Sequence, residues 1–178
     1  GLVGGHCIAV DPYYLVDAGR RYGLPMDLVA AGRLVNEHTP YFLAEKLEEL
    51  FNATNQGLSK QNILILGRSF KEVCPDTRNS KTFKLMDYLW AQGANIFNFD
   101  PVADEDHFEG GRGTKIVSDL FNGDVYDAVI VTLGHTVFRQ QLDLPTVASL
   151  AHRKAPLIDM RGMYDCEEVH DHFTYWRP

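Results

Sequence analysis

The sequence predicts an α/β fold: an N-terminal helical segment, then a Rossmann-like domain built on a mainly parallel sheet. Short apolar runs recur at 62–67, 95–99, 126–133 and 155–159, rich in Ile, Val, Leu, Phe and Ala. Runs of that length and composition suit strands covered on both faces. Amphipathic stretches lie between them at 80–92 and 144–152, and such alternation builds a parallel sheet flanked by helices. Before residue 52 the apolar spacing is helical instead.

A first helix is expected over 11–22. Asp11 suits its N-cap and Pro12 its first helical position, where no amide donor is needed. Gly23-Leu24-Pro25 stops it. A second helical run covers 26–51, with a stripe of Leu28, Ala31, Val35, Phe42, Leu47, Leu50 and Phe51. Pro40 is expected to kink or divide it. Residues 52–61 are polar, contain Gly57 and read as a connection.

In the second unit, 80–92 reads as an amphipathic helix through Phe83, Leu85, Met86, Leu89 and Trp90 and ends at Gly93. Residues 104–113 are acidic, glycine-rich loop, and 116–121 form a short helix. The organisation is therefore a loop at 1–10, a helical region at 11–53, a linker at 54–60 and a sheet domain at 61–178.

The chain has 178 residues, 45% of them hydrophobic and 23% charged, enough for one well-buried core. A net charge of -7 argues against general nucleic-acid affinity but leaves room for a local phosphate site. Cys7, Cys74 and Cys166 form no CxxC pair and no disulfide framework, which favours a reducing cytoplasm. No run is long and apolar enough to span a membrane.

Two stretches carry the candidate chemistry. The first is Gly4-Gly5-His6-Cys7-Ile8-Ala9-Val10-Asp11-Pro12. It sets a thiol in the lead-in to a helix, where the helix N-terminus favours the nucleophilic thiolate. The paired glycines allow backbone to approach a ligand. The plainer reading is that Cys7 is a small apolar residue and Asp11 a cap.

The second is the rim of the sheet, since ligands in such folds bind beyond the carboxyl ends of the strands. Phe70, Lys71, Asp76 and Arg78 follow the first strand, Asp100 the second, Gly134-His135 the third, and Met160-Arg161 the last. Lys71, Arg78 and Arg161 are expected to converge as an anion site, arginine suiting phosphate through its planar donors. Surface salt bridges, Asp76 with Arg78 and Asp159 with Arg161, are the competing explanation. Cys166, His170 and His172 do not complete a zinc-finger pattern, so no metal is expected. Residues 110–115 lack P-loop spacing.

The stretch GGHCIAVDPYYL resembles the catalytic-cysteine segment, Gly-Gly-x-Cys-x-x-x-Asp, of the UDP-glucose/GDP-mannose dehydrogenase family of nucleotide-sugar 6-dehydrogenases. Phe70-Lys71-Glu72-Val73-Cys74-Pro75-Asp76-Thr77-Arg78-Asn79 is similar to the Phe-Lys-x-x-x-x-Asp-x-Arg signature of the same enzymes. The Pro-Tyr-Tyr and Cys-Pro-Asp-x-Arg-Asn variants look most like the branch acting on UDP-N-acetylhexosamines, although Ala9 replaces its usual proline. The resemblance implies that Cys7 is the nucleophile, with Asp11 as its polar neighbour. It places Gly4, Gly5 and His6 along the sugar and gives UDP-sugar contacts to Phe70, Lys71 and Arg161. It assigns Arg78 to NAD.

The implied reaction is a four-electron oxidation of the sugar C6 alcohol to a uronic acid with two NAD. It passes through a thiohemiacetal and a thioester on Cys7. The resemblance further implies a homodimer through the 26–51 helix. Gly1 is no natural start, so the NAD domain, the lysine base and the glutamates are expected upstream, and this chain alone is expected to be inactive. UDP-glucose as substrate, a non-catalytic nucleotide-binding module and an oligomerisation module are the alternatives.

Overall fold

The protein is described from a computed structural model covering residues 2–104 and 111–178. Helices α1 (Asp11–Arg21) and α2 (Asp27–Asn52) precede β1 (Asn62–Leu66), α3 (Lys81–Ala91) and β2 (Asn95–Phe99). There follow β3 (Lys115–Ile116), β4 (Ala128–Val131), α4 (Thr136–Gln141), α5 (Leu144–Ser149), β5 (Pro156–Asp159), α6 (Cys166–Val169) and β6 (Thr174–Trp176).

The six strands form one sheet in the order β3-β2-β1-β4-β5-β6, and every pairing is parallel. The chain enters at the centre, winds outward through β2 and β3, then restarts at β4 beside β1. That reversal leaves a crevice at the carboxyl ends of β1 and β4, the usual ligand position in doubly wound sheets.

Period-2 alternation divides the strand side chains between two cores. Ile63, Ile65, Ile130 and Ile158 join Leu43, Leu47, Phe51, Leu85, Met86 and Leu89 from α2 and α3 on one face. Leu64, Leu66, Val129, Val131 and Leu157 join Phe138, Val147, Val169 and Phe173 on the other. Both faces are covered, hence the continuous apolar runs.

The helical region departs from expectation in three details. Asp11 is the first residue of α1 rather than its cap; Val10 holds the cap position and no side chain caps it. Helix α2 runs through Pro40 undivided. Its apolar stripe is also split: Leu43, Leu47 and Phe51 are buried, whereas Leu28, Val35 and Phe42 are exposed. The sheet domain covers only the C-terminal half of α2.

The expected helix at 116–121 is absent. Residues 115–116 form the edge strand β3, hydrogen-bonded to β2, and turns follow. The loop expected at 104–113 lies partly outside the described residues. No helix among the described residues is long and apolar enough to cross a membrane.

Candidate functional site

The loop between β1 and α3, residues 67–80, dominates the rim. Asp100, at the end of β2, holds its base: Oδ2 accepts the backbone amides of Arg68 (2.7 Å) and Ser69 (2.9 Å) and the Ser69 hydroxyl (2.9 Å). Oδ1 accepts the amides of Val102 and Ala103. Burial pushes the Asp100 carboxyl up, but His135 and the Arg68 and Ser69 amides hold it well below the usual carboxylate range.

Further along, the Phe70 amide donates to the Asp76 carbonyl, closing the loop on itself. Ser80 then caps α3, its side chain accepting from the Thr82 amide.

The N-terminal loop packs directly on this loop. A Cβ on Gly4 would lie 2.6 Å from the Asn79 carbonyl oxygen and 3.2 Å from Phe70 Cβ. Gly5 adopts φ +84°, and a Cβ there would meet the Phe70 ring at 2.9 Å. Both glycines are therefore required for contact. His6 stands edge-on to Phe70, with ring centroids 6.0 Å apart, and its Nδ1 is 3.8 Å from Asp76 Oδ2.

A cavity of about 390 Å³ opens where the two loops meet the strand ends, lined by Gly4, Ile8, Phe70, Lys71, Leu133 and Arg161 among others. Four of the sequence-predicted residues, Gly4, Phe70, Lys71 and Arg161, thus share one groove. The Lys71 ammonium lies over the Phe70 ring, 5.5 Å from its centroid.

The expected convergence of three cations is only partly realised. Arg161 binds Glu72, Nε donating to Oε1 at 2.7 Å. Glu72 also accepts the Gly134 amide. Burial raises the Glu72 carboxyl, but Arg161 and the Gly134 amide outweigh it and hold it low. Asp159 does not pair with the Arg161 side chain; it accepts the backbone amides of Arg161, Met163 and Tyr164 and the Tyr175 hydroxyl.

Arg78 instead lines a separate cavity of about 310 Å³ with Pro75, Asp76 and Asp104. It binds Asp76 through Nε and Nη2, and Arg78 holds the Asp76 carboxyl at about 2. Cys7 and Asp11 are both exposed, and neither is among the groove-lining residues. The Cys7 carbonyl accepts the amides of Val10 and Asp11, forming the turn into α1.

Glu72 was not singled out from sequence, although its place beside Lys71 marks it as a partner for a rim cation. Asn36 and His135 bond to backbone groups distant in the chain, those of Val3 and Val73.

The sheet itself does not suit a dinucleotide pyrophosphate. That group normally lies on amides of a glycine-rich loop opening a helix after β1. Here the Arg68 and Ser69 amides already bind a carboxylate, and α3 begins only at Lys81. Arg78 is the one residue the sequence offers to NAD, and it stands outside the main groove.

A doubly wound parallel domain with a groove at its switch point that sets Lys71, Glu72 and Arg161 among apolar side chains, and a cysteine loop laid against it, defines a nucleotide-binding class of protein. The comparison with known sequences narrows this. Residues 64–166 match the UDP binding domain of the UDP-glucose/GDP-mannose dehydrogenase family, and the chain belongs to that family.

A UDP-N-acetyl-D-glucosamine 6-dehydrogenase of Salmonella typhi is 32% identical over 94% of the chain and 39% of its own length. Protein CapL of Staphylococcus aureus is 30% identical over 99% of the chain and 41% of its own. The chain thus spans about two fifths of these relatives. A UDP-D-ManNAc dehydrogenase structure from Pyrococcus horikoshii superposes with TM-score 0.77 at 25% identity, covering 98% of this chain and 38% of that one. An NDP-N-acetyl-D-galactosaminuronic acid dehydrogenase from Methanosarcina mazei gives 0.82 at 22% identity, over the same shares, and speaks to the fold.

Proposed function

We propose that this chain supplies the cysteine loop and UDP-sugar-binding domain of an NAD-dependent 6-dehydrogenase acting on a UDP-N-acetylhexosamine. The observation that carries this reading is the shared groove: Phe70, Lys71 and Arg161 from the sheet domain meet Gly4 from the cysteine loop. Lys71 and Arg161 supply donors for a diphosphate, and Phe70 supplies an apolar face. The names of the sequence relatives support the hexosamine branch.

In this reading the Cys7 sulfur adds to the C6 aldehyde carbon to give a thiohemiacetal, loss of a hydride and a proton converts that to a thioester, and water hydrolyses the thioester to the uronic acid and the free thiol. Gly4, Gly5 and His6 lie along the sugar, and Asp11 assists as the polar neighbour of Cys7. The hydrides released need an acceptor, which NAD would supply; Arg78 is the residue of this chain offered to it. The setting in bacterial surface polysaccharide synthesis follows from the resemblance, and a cytoplasmic location from three cysteines that form no disulfide framework. Exposed Leu28, Leu34, Val35 and Phe42 on α2 favour a homodimer through that helix.

Titration with UDP, paired with alkylation, tests the reading. Cys7 is exposed, while Cys74 and Cys166 are partly buried, so Cys7 is expected to react first and to be protected by UDP-N-acetylglucosamine. No UDP binding, or Cys7 labelling indifferent to the nucleotide sugar, overturns it.

A further inference from the structure

His135 is fully buried just beyond β4, on the far side of the switch-point crevice from β1. Its Nδ1 accepts the backbone amide of Val73 at 3.1 Å, across 62 residues of chain. Nδ1 must therefore carry the lone pair, which places the ring proton on Nε2. Nε2 lies 3.3 Å from Asp100 Oδ1, too oblique for an aligned hydrogen bond, so the contact is that of an N–H dipole beside a carboxylate. The ring also stands edge-on to Phe138, with centroids 5.2 Å apart, which fixes its plane.

Val73 has an unusual backbone. It adopts φ +55°, a left-handed conformation that is costly for a β-branched residue. The residue is 66% exposed, so packing does little to hold it there. Its amide N–H is instead hydrogen-bonded to His135 Nδ1. The neighbouring residue is gripped from the same segment, since the Gly134 amide donates to Glu72. At the other end of the loop Asp100, the carboxylate facing His135, binds the Arg68 and Ser69 amides. The groove residues Phe70, Lys71 and Glu72 thus lie between two anchors that meet at the His135–Asp100 contact.

We propose that His135 is a positioning residue: through Nδ1 it locks Val73 in its left-handed conformation and so aims Phe70, Lys71 and Glu72 into the groove. It rests, for the identity of the ligand, on the UDP-sugar reading above. His135 touches no substrate in this account. It acts on binding through the loop, as a preorganising contact whose loss is expressed as weaker affinity.

Two variants separate this role from mere core filling. His135→Asn keeps an acceptor oxygen near the position of Nδ1; His135→Gln places its polar end near Nε2 and leaves Val73 without a well-placed acceptor. UDP affinity is measured by calorimetry and exchange of the Val73 amide by NMR. H135Q is expected to weaken UDP binding about tenfold and to speed Val73 exchange, with H135N within about threefold of wild type in both.

Equal UDP affinity of H135Q and wild type, or equal Val73 exchange, overturns the proposal. If neither variant folds, the unaltered protein decides. A through-hydrogen-bond coupling between the Val73 amide nitrogen and His135 Nδ1, retained with UDP bound, supports it, and its absence overturns it. If wild type binds no UDP, the nucleotide reading fails instead, while Val73 exchange still reports whether His135 holds the loop.

Discussion

Asn36, in the middle of α2, holds the backbone of Val3 at two points. Its Oδ1 accepts the Val3 amide at 2.9 Å, and its Nδ2 donates to the Val3 carbonyl at 2.8 Å. The side-chain amide mimics a strand partner and ties the start of the cysteine loop to the helix. Asn36→Ala is expected to cost about 1–3 kcal/mol, because two partly buried backbone groups lose their partner. Asn36→Asp is expected to be at least as damaging, since a carboxylate oxygen then faces the Val3 carbonyl. Urea unfolding of the three proteins measures this; a loss below about 0.5 kcal/mol for both variants contradicts it.

Gly5→Ala tests the seating of that loop on Phe70. The substitution meets two obstacles together, φ +84° and a Cβ placed 2.9 Å from the ring. Left-handed backbone alone costs about 1–2 kcal/mol for a residue with a Cβ, and the Phe70 ring must also move. Gly23→Ala is the control, with φ +70° but open space around its Cβ. Both variants are expected to lower stability, but only Gly5→Ala is expected to weaken UDP binding. Calorimetric titration of the pair decides it.

Glu37 joins the helical region to the sheet domain electrostatically. Its carboxylate accepts from Arg33 on its own helix and from Lys81 and Lys84 on α3. Burial raises its carboxyl, but the two lysines more than offset this and hold it at about 2, against an ordinary 4.5. A depressed carboxyl contributes stability that is full above pH 4.5 and drains away as pH falls toward 2. Glu37→Gln is expected to cost about 3 kcal/mol at pH 7, because Arg33 and Lys81 are left buried without their counter-charge. The gap between wild type and Glu37→Gln should narrow between pH 4.5 and 3 in urea unfolding. A gap constant across that range refutes the coupling.

The sheet was legible because its central strands are buried on both faces and so read as unbroken apolar runs. β1 and β4 are the clear cases, with the runs Asn-Ile-Leu-Ile-Leu and Ala-Val-Ile-Val. The edges were not legible. β3 has only the exposed Lys115 and Ile116, and β6 only three half-buried residues, so neither carries a burial pattern in its composition. The strand-end rule drew Lys71 and Arg161 to one groove. It misplaced Arg78, because a local turn commits that guanidinium to Asp76 two residues away. The roles of Asn36 and His135 depend on contacts across 33 and 62 residues, which no local pattern encodes.

Arg161 and Glu72 yield a last test, one of competition. The guanidinium that lines the groove is already bound to a carboxylate on the neighbouring loop. A diphosphate entering the groove must share Arg161 with Glu72 or displace it, so Glu72 acts as an internal rival anion. Arg161→Ala removes a charge-assisted donor, worth about 1.5–3 kcal/mol, and is expected to weaken UDP binding at least tenfold. Glu72→Gln is expected to do the opposite, tightening binding about threefold to tenfold as Arg161 is released and the local negative charge is lost. The gain should shrink with added salt, since the groove is open to solvent. If Glu72→Gln weakens binding as much as Arg161→Ala, the carboxylate is holding the arginine in place for the ligand rather than competing with it.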